Sequence, residues 1–463
     1  MEFDVVLLSR LQFAWLIAWH ILLPAFTVGV AAFICVLEAQ YLRSQNSLYQ
    51  RISDFWIRIF SVAFGMGVVT GVVMPFQFGT NWSRFSDATA NVLAPLFAYE
   101  GLTAFFLEAA FLGVLLFGRR LVPKPAYFFS ALMVAGGTLL SSFWILSVNS
   151  WMQTPSGYEL IDGRFYPADW WKIVFNPSFP YRLAHTVTAF FLTAALVVAG
   201  VGAYLLRRGT FPEESKVIFS MSLWMLTALT PLQFAIGDLH GLNTFKHQPA
   251  KVAAMEGLWE TESGAPALLF AIPLQDQERN ALEIGVPNLA SWYLTHSLDG
   301  EVQGLKAFPA DERPPVGVVF FAFRIMVGCG LAVLALVCAS LWLRWQGRLF
   351  DARWFQHAMI AASPLGFIAV LAGWTTTEVG RQPWIVYGLM RTAESVPQSL
   401  TASDVMVSLT AYIVVYLLIY PAGLTVMAKM VREGPVGKAA LPSVEAGRPE
   451  APVDAAAAAR RSE

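Results

Sequence analysis

The sequence predicts an all-α, polytopic membrane helix bundle of about nine transmembrane helices, and three observations carry that prediction. Of 463 residues, 56% are hydrophobic and only 14% charged, where a soluble domain carries roughly a quarter charged residues. Successive apolar runs each reach the ~20 residues needed to cross the hydrocarbon core of a bilayer. Lysine and arginine collect in alternate connections between those runs, as chain reversal across a membrane requires.

The runs fall near 11–38, 56–78, 92–117, 127–148, 185–206, 217–236, 316–343, 355–374 and 405–428. Met1 to Arg10 lacks the basic start and small-residue cleavage site of a signal peptide, so the first run is expected to stay as a helix. Arg43 and Arg51 follow the first run, and Arg119, Arg120 and Lys124 the third. Arg207, Arg208 and Lys216 follow the fifth, Arg344, Arg348 and Arg353 the seventh, and Lys429 and Arg432 the ninth. The connection after the second run has only Arg84. Odd-numbered exits are therefore expected in the cytoplasm, with the N-terminus outside and the C-terminus cytoplasmic. Residues 1–432 read as one transmembrane domain, and 433–463, rich in Ala, Pro and Gly, as a disordered cytoplasmic tail. Three outer segments are long, 149–183, 237–315 and 375–404, and their aromatic content predicts ordered caps.

Several function classes drop out. A net charge of -1 gives no basic surface for nucleic acid. Cys35, Cys329 and Cys338 sit in apolar runs without CxxC spacing, so they read as buried small hydrophobes. There is no Walker loop, GxGxxG or HExxH.

Polar residues at membrane depth are costly and mark function more often than not. His20 lies in WLIAWHILLPAF of the first span and His185 in YRLAHTVTAFF at the outer start of the fifth. Met326 lies in FRIMVGCG near the outer start of the seventh, and Glu378 in GWTTTEVGRQPW just beyond the eighth. Taken singly, each histidine has a bland reading as a helix–helix hydrogen bond, and Met326 as core packing. Together they read differently. Spans five and seven descend from the same face, so His185 and Met326 share a depth, and a His/Met pair fills both axial sites of a low-spin haem iron. Arg324 could pair a propionate of that haem. His20 and Glu378 have no such partner, and a single axial ligand leaves iron open for oxygen chemistry. In span three, Glu100 and Glu108 stand about 12 Å apart along the helix and about 80° apart around it. They read as a proton relay, with Glu108 nearer the cytoplasm, or as two satisfied packing hydrogen bonds. Lys251 and Glu256 lie in a helical-looking stretch of the outer loop beside Met326, either as part of a reductant site or as a solvated amphipathic helix.

The chain up to the tail resembles subunit I of cytochrome bd-type quinol oxidases. The resemblance rests on LSRLQFAW ahead of His20, MPFQFGTNWS (74–83), YEGLTAFFLE (99–108), WILSVNSWMQTP (144–155), AHTV (184–187), GD…K…E…WE (237–260), FRIMVG (323–328) and GRQPW (380–384), all in that order. It implies that His185 and Met326 ligate a low-spin haem b, and that His20 and Glu378 are axial ligands of two high-spin haems, one a haem b and the other a haem d or a further haem b. Lys251 and Glu256 match quinol-loop residues, Glu100 and Glu108 the membrane glutamates of the proton path. Trp374 and Arg381 match residues around Glu378, with Arg381 neutralising a carboxylate or propionate. The short interval from Glu256 to Arg324 resembles the short quinol-loop, cyanide-insensitive branch. The implied activity is oxidation of ubiquinol or menaquinol at the outer face and reduction of dioxygen to water with cytoplasmic protons, without pumping. The implied setting is the bacterial cytoplasmic (inner) membrane. The implied partners are a second large membrane subunit and, as a further candidate, a small single-span accessory subunit. Two rivals are less well served by the residues. A quinol-linked cytochrome that never meets oxygen has no use for His20 and Glu378, and a proton-coupled transporter gives no reason for His185 and Met326 and would show repeats.

Overall fold

A computed structural model describes residues 4–435, so most of the expected tail lies outside the described residues. Among them nine helices are long and apolar enough to cross a membrane. These are span one, Val5–Ser44; two, Ser47–Gly79; three, Ser83–Arg120; four, Lys124–Gln153; five, Phe179–Arg208; six, Pro212–His247; seven, Val316–Trp345; eight, Arg353–Val379; and nine, Ala402–Glu433. All nine apolar runs are recovered, each longer than hydropathy alone suggests. The helix ends carry ordinary local signals. Asp4 and Asn46 cap spans one and two by accepting from Val6 N and Leu48 N, both at 2.9 Å. Span nine opens with a Thr401–Asp404 capping box. Gly209 closes span five in the left-handed conformation.

Two spans are irregular. Span three contains a π-helical turn over Glu100–Phe105. Such a turn takes up about one extra residue, so it swings Glu100 and Glu108 from the expected ~80° to within about 20° of one another around the helix. Span eight breaks between Arg353–Ala362 and Leu365–Val379, where Pro364 supplies no N–H to the ladder. The break is packed closely on span five: a Cβ on Gly200 would collide with Ser363, and one on Gly366 would lie 2.6 Å from Thr193 Cα. Small residues bring these backbones together where lipid gives no hydrophobic drive between helices.

The two ends of the bundle differ in chemistry. At one end the arginines of alternate connections meet carboxylates and backbone oxygens of their neighbours. Arg119 holds Glu38 at 2.5 Å and Asp54 at 2.8 Å, Arg51 holds Glu214 at 2.8 Å, and Arg344 donates to Ser220 O at 2.9 Å. At the other end the long segments form the cap, and here the fold departs from a purely helical reading. Among the described residues there are four small two-stranded antiparallel sheets, pairing Tyr158–Ile161 with Arg164–Pro167, Glu262–Ser263 with Glu301–Val302, Ala267–Leu274 with Arg279–Val286, and Trp384–Val386 with Met390–Arg391. Cap segments interlock: Tyr387 N donates to Met152 O at 3.0 Å, and Arg391 pairs Asp311 at 2.7 Å. Three boundaries shift from the sequence expectation. Span six runs on to His247, so the large loop begins at 248, not 237. Glu378 lies inside the last turn of span eight, not beyond it, and span five begins at Phe179, not 185, which puts His185 in its second turn.

Candidate functional site

The cap end of the bundle buries a charged cluster built from five elements. The end of span eight places Glu378, and the following turn places Arg381. The last two turns of span four place Asn149 and Gln153 on one face, the first turn of span five places Arg182, and the segment 248–256 places Gln248 and Lys251. Glu378 Oε1 accepts from Asn149 Nδ2 at 3.0 Å and Gln153 Nε2 at 3.1 Å, with Arg182 Nη2 at 4.0 Å. Its other oxygen accepts from Arg381 Nη2 at 2.5 Å. Arg182 also donates to Asn149 Oδ1. Lys251 Nζ donates to Gln153 Oε1 at 2.7 Å and Gln248 Oε1 at 2.6 Å, and its stem packs on Gly380. Burial pushes the Lys251 ammonium well below the usual lysine range; Arg182 and Arg381 add to that and Glu378 opposes it.

The charges in this cluster do not balance. Arg182, Lys251 and Arg381 are all buried, and Glu378 is the carboxylate that faces them. Arg182 Nε and Arg381 Nε and Nη1 are buried without a hydrogen-bond partner. An unmet buried donor costs about 1–3 kcal/mol, more when charged, so three of them on two guanidinium groups call for anionic oxygen. The propionates of a haem are such a group, and the donors present fit them.

His185 and Met326 face a second region. Spans six and eight each pack against both span five and span seven, so they wall the space between His185 and Met326. Gln233 of span six places Nε2 3.3 Å from both ring nitrogens of His185 and 3.2 Å from its carbonyl. A Cβ on Gly237 would lie 3.5 Å from the ring, and the His240 ring centroid is 5.4 Å away. Met326 Sδ sits where a Cβ on Gly373 of span eight would come within 2.9 Å, so only glycine leaves the thioether this room. Trp374 follows Gly373, one turn before Glu378.

The two quinol-loop candidates separate. Lys251 joins the Glu378 cluster, whereas Glu256, at the end of the helix Pro249–Glu256, faces Arg324. Arg324 does not point its fork at an open space for a propionate. Its Nε donates to Leu268 O at 2.8 Å, Nη1 to Met255 O, and Nη2 lies 3.4 Å from Glu256 Oε2, while the guanidinium stacks 3.7 Å over the Phe320 ring. Tyr293 lies near Glu256. Burial pushes the Glu256 carboxyl above the usual range, against the pull of Arg324 and Tyr293.

His20 of span one lies with Nδ1 2.9 Å from Thr70 Oγ1 of span two. In span three, Glu100 accepts from Ser141 at 2.8 Å. Glu108 is 7% exposed, fills the notch at Gly137 and leaves Oε1 without a partner. Gly137 and Ser141 are one turn apart on span four, so both glutamates face the same stripe.

Sequence reasoning missed Arg182, Asn149, Gln153, Gln248, Gln233, His240 and Thr70. Asn149 and Gln153 carried a readable signal, two amides one turn apart at the end of an apolar run, and Arg182 stands three residues before His185.

Candidate haem ligands held between membrane helices, beside three buried cations that share one carboxylate, describe a polytopic membrane protein. More narrowly, the chain belongs to the cytochrome bd terminal oxidase subunit I family, whose model matches residues 8–435. It is 36% identical over 430 residues to the cytochrome bd ubiquinol oxidase subunit 1 of Bacillus subtilis (strain 168), covering 89% of this chain and 91% of that one. It is 32% identical over 500 residues to the cytochrome bd-II ubiquinol oxidase subunit 1 of Escherichia coli (strain K12), covering 93% and 97%. The bd oxidase structure from Geobacillus thermodenitrificans superposes with a TM-score of 0.87 at 30% identity, covering 94% of this chain and all of that one. The resemblance read from the motifs is therefore borne out.

Proposed function

We propose that this chain is the haem-bearing subunit of a quinol:oxygen oxidoreductase in the bacterial cytoplasmic membrane, working with a second large membrane subunit. The observation that carries this reading is the buried Arg182–Lys251–Arg381 cluster around Glu378, with its unmet donors beside candidate iron ligands. His185 and Met326 would hold a low-spin haem b. His20 and Glu378 would hold two high-spin haems, one a haem b and the other a haem d or a further haem b, and Arg182 and Arg381 would receive propionates. When bound, the haems supply one-electron transfer and a site for dioxygen.

The protein's own groups handle quinol and protons. Glu256 takes the proton of a quinol hydroxyl at the cap end, and Arg324 stabilises the carboxylate in its working form. Lys251 ties the quinol loop to the Glu378 cluster through Gln153, so the loop and the ligand carboxylate share one hydrogen-bonded frame. The basic end of the bundle faces the cytoplasm by the positive-inside rule, which puts the cap and the N-terminus outside. Quinol protons then leave outside, while Glu108 and Glu100 pass protons from inside. Charge separates by the placement of the two half-reactions, without a pump. Relatives named as ubiquinol and menaquinol oxidases leave either quinol as the substrate.

Two variants test the quinol site. Glu256→Gln should lower quinol-driven oxygen uptake by about 10²-fold or more, the usual worth of a positioned acid–base group, while an artificial donor that feeds the haems directly still drives it; Lys251→Ala should lower quinol-driven uptake and also perturb the high-spin bands through Gln153 and Glu378. Equal loss of both activities would return the loop to a structural role. The pH profile gives a second check. A base must be deprotonated to act, so activity should be full above the raised Glu256 pKa and fall as pH drops through it. That acid limb should lie above the ordinary carboxylate range and vanish in Glu256→Gln; a limb that survives unchanged belongs to another group.

A further inference from the structure

Spans one and two meet at a contact that the ligand assignment above does not use. His20 Nδ1 lies 2.9 Å from Thr70 Oγ1. The Thr70 hydroxyl has one hydrogen, and two oxygens of its own helix stand ready for it, Met66 O at 3.0 Å and Gly67 O at 3.2 Å. This back-bond is the ordinary habit of a threonine inside a helix. The Tyr420 hydroxyl of span nine is taken up by Trp19 O, to which it donates at 2.6 Å. Apart from His20, the hydrogen-bond partners of the Thr70 hydroxyl are backbone carbonyls, which only accept. The next residue, Gly71, carries the imidazole on bare backbone: a Cβ there would stand 3.2 Å from His20 Cε1, closer than side chains ordinarily pack.

We propose that Thr70 is a positioning residue for His20: its hydroxyl oxygen accepts the Nδ1–H, which fixes the tautomer that leaves Nε2 unprotonated and able to bind a metal. The opposite tautomer would put the hydrogen on Nε2 and abolish ligation there. Ring nitrogens of metal-binding histidines are commonly anchored in this way, and loss of the anchor costs about 10–100-fold in metal affinity or activity. Gly71 sets the ring plane and Thr70 sets the proton. The inference rests on the reading of His20 as an axial ligand of a high-spin haem.

The experiment uses the whole purified oxidase and compares wild type with Thr70→Val, Thr70→Ser and His20→Ala. Valine matches threonine in shape but offers no acceptor; serine restores one. The readouts are the high-spin haem bands, the haem content and the midpoint potential of that haem, with the low-spin band as an internal control for folding. Thr70→Val should keep the low-spin band, shift the high-spin bands, raise that midpoint potential because an unanchored imidazole donates less charge, and lose haem about tenfold or more faster on detergent washing. Thr70→Ser should return all of these towards wild type. If His20→Ala bleaches a high-spin haem while Thr70→Val is indistinguishable from wild type, the role of Thr70 is overturned and the ligand reading stands. If His20→Ala itself leaves the high-spin bands and haem content unchanged, the ligand reading fails and takes this inference with it.

Discussion

Met326→Leu should convert the low-spin haem to a high-spin form and lower quinol oxidation by at least about 100-fold, because even outer-shell changes at metal sites typically cost about 10–100-fold. Leucine and methionine exchange with little change in volume, at under about 1.5 kcal/mol in most cores, so the fold should persist and the effect should read as lost ligation. The setting favours that separation. The thioether lies against the backbone of span eight at Gly373, a space that leucine can fill but through which it can bind no iron. His185 remains on the opposite helix, held by Gln233, so the iron should keep one axial bond. A reduced-minus-oxidised spectrum of the purified variant decides the matter: an unchanged low-spin band would remove Met326 from the site and leave it as a packing residue. His185→Ala, which takes away the other side of the pair, should lose the band altogether.

The parts of this site that were legible in sequence share a cause, and so do those that were not. Candidate iron ligands and membrane carboxylates stand out because their side chains are chemically unusual in an apolar run, as with His20, His185, Glu100 and Glu108. Nine spans were legible because a bilayer sets a length and a hydropathy that few other structures share. The residues that complete the site are ordinary in type and distant in sequence. Asn149 meets Glu378 across 229 positions and Lys251 meets Gln153 across 98, and only the bundle topology brings them together. Span six hid its last turns for a related reason. GDLHGLNTFKH is polar, so hydropathy ends the helix near 236, yet several of its polar groups turn towards protein; Asn243, for example, donates to Pro177 O at 3.1 Å. Arg324 shows the reverse limit. Its nearness to Met326 in sequence suggested a propionate partner, whereas the loop backbone at Met255 and Leu268 occupies its donors.

Glu108→Gln should leave every haem bound while slowing turnover, and with it proton uptake from the basic end, by about 10²-fold or more, the scale of a positioned proton-transfer group. The π-helical turn at Glu100–Phe105 is what makes the two glutamates a pair. In an unbroken α-helix they would point about 80° apart; with the turn, both address the stripe of span four marked by Gly137 and Ser141. Glu108 is the deeper of the two, on the side of Arg119, and its Oε1 is buried without a partner. Gly137 gives it that room, since a Cβ at Gly137 would stand 2.5 Å from Glu108 Cγ. An unmatched carboxyl oxygen in a notch is a poor structural hydrogen bond and a suitable station for a transferable proton. Glu100, by contrast, is engaged by Ser141 at 2.8 Å and lies towards the cap, where the candidate haem ligands are. Glu100→Gln should therefore disturb the high-spin bands as well as the rate. Glutamine keeps the shape and the hydrogen-bonding capacity of glutamate but cannot carry a proton, so the two variants separate transport from packing. Each is reconstituted in vesicles with the basic end inside, and internal pH is followed while quinol drives oxygen consumption. Internal alkalinisation at the wild-type rate in Glu108→Gln would take that residue out of the route, and Gly137→Ala, which crowds the same notch without altering the carboxyl, should slow uptake only if the notch is part of it.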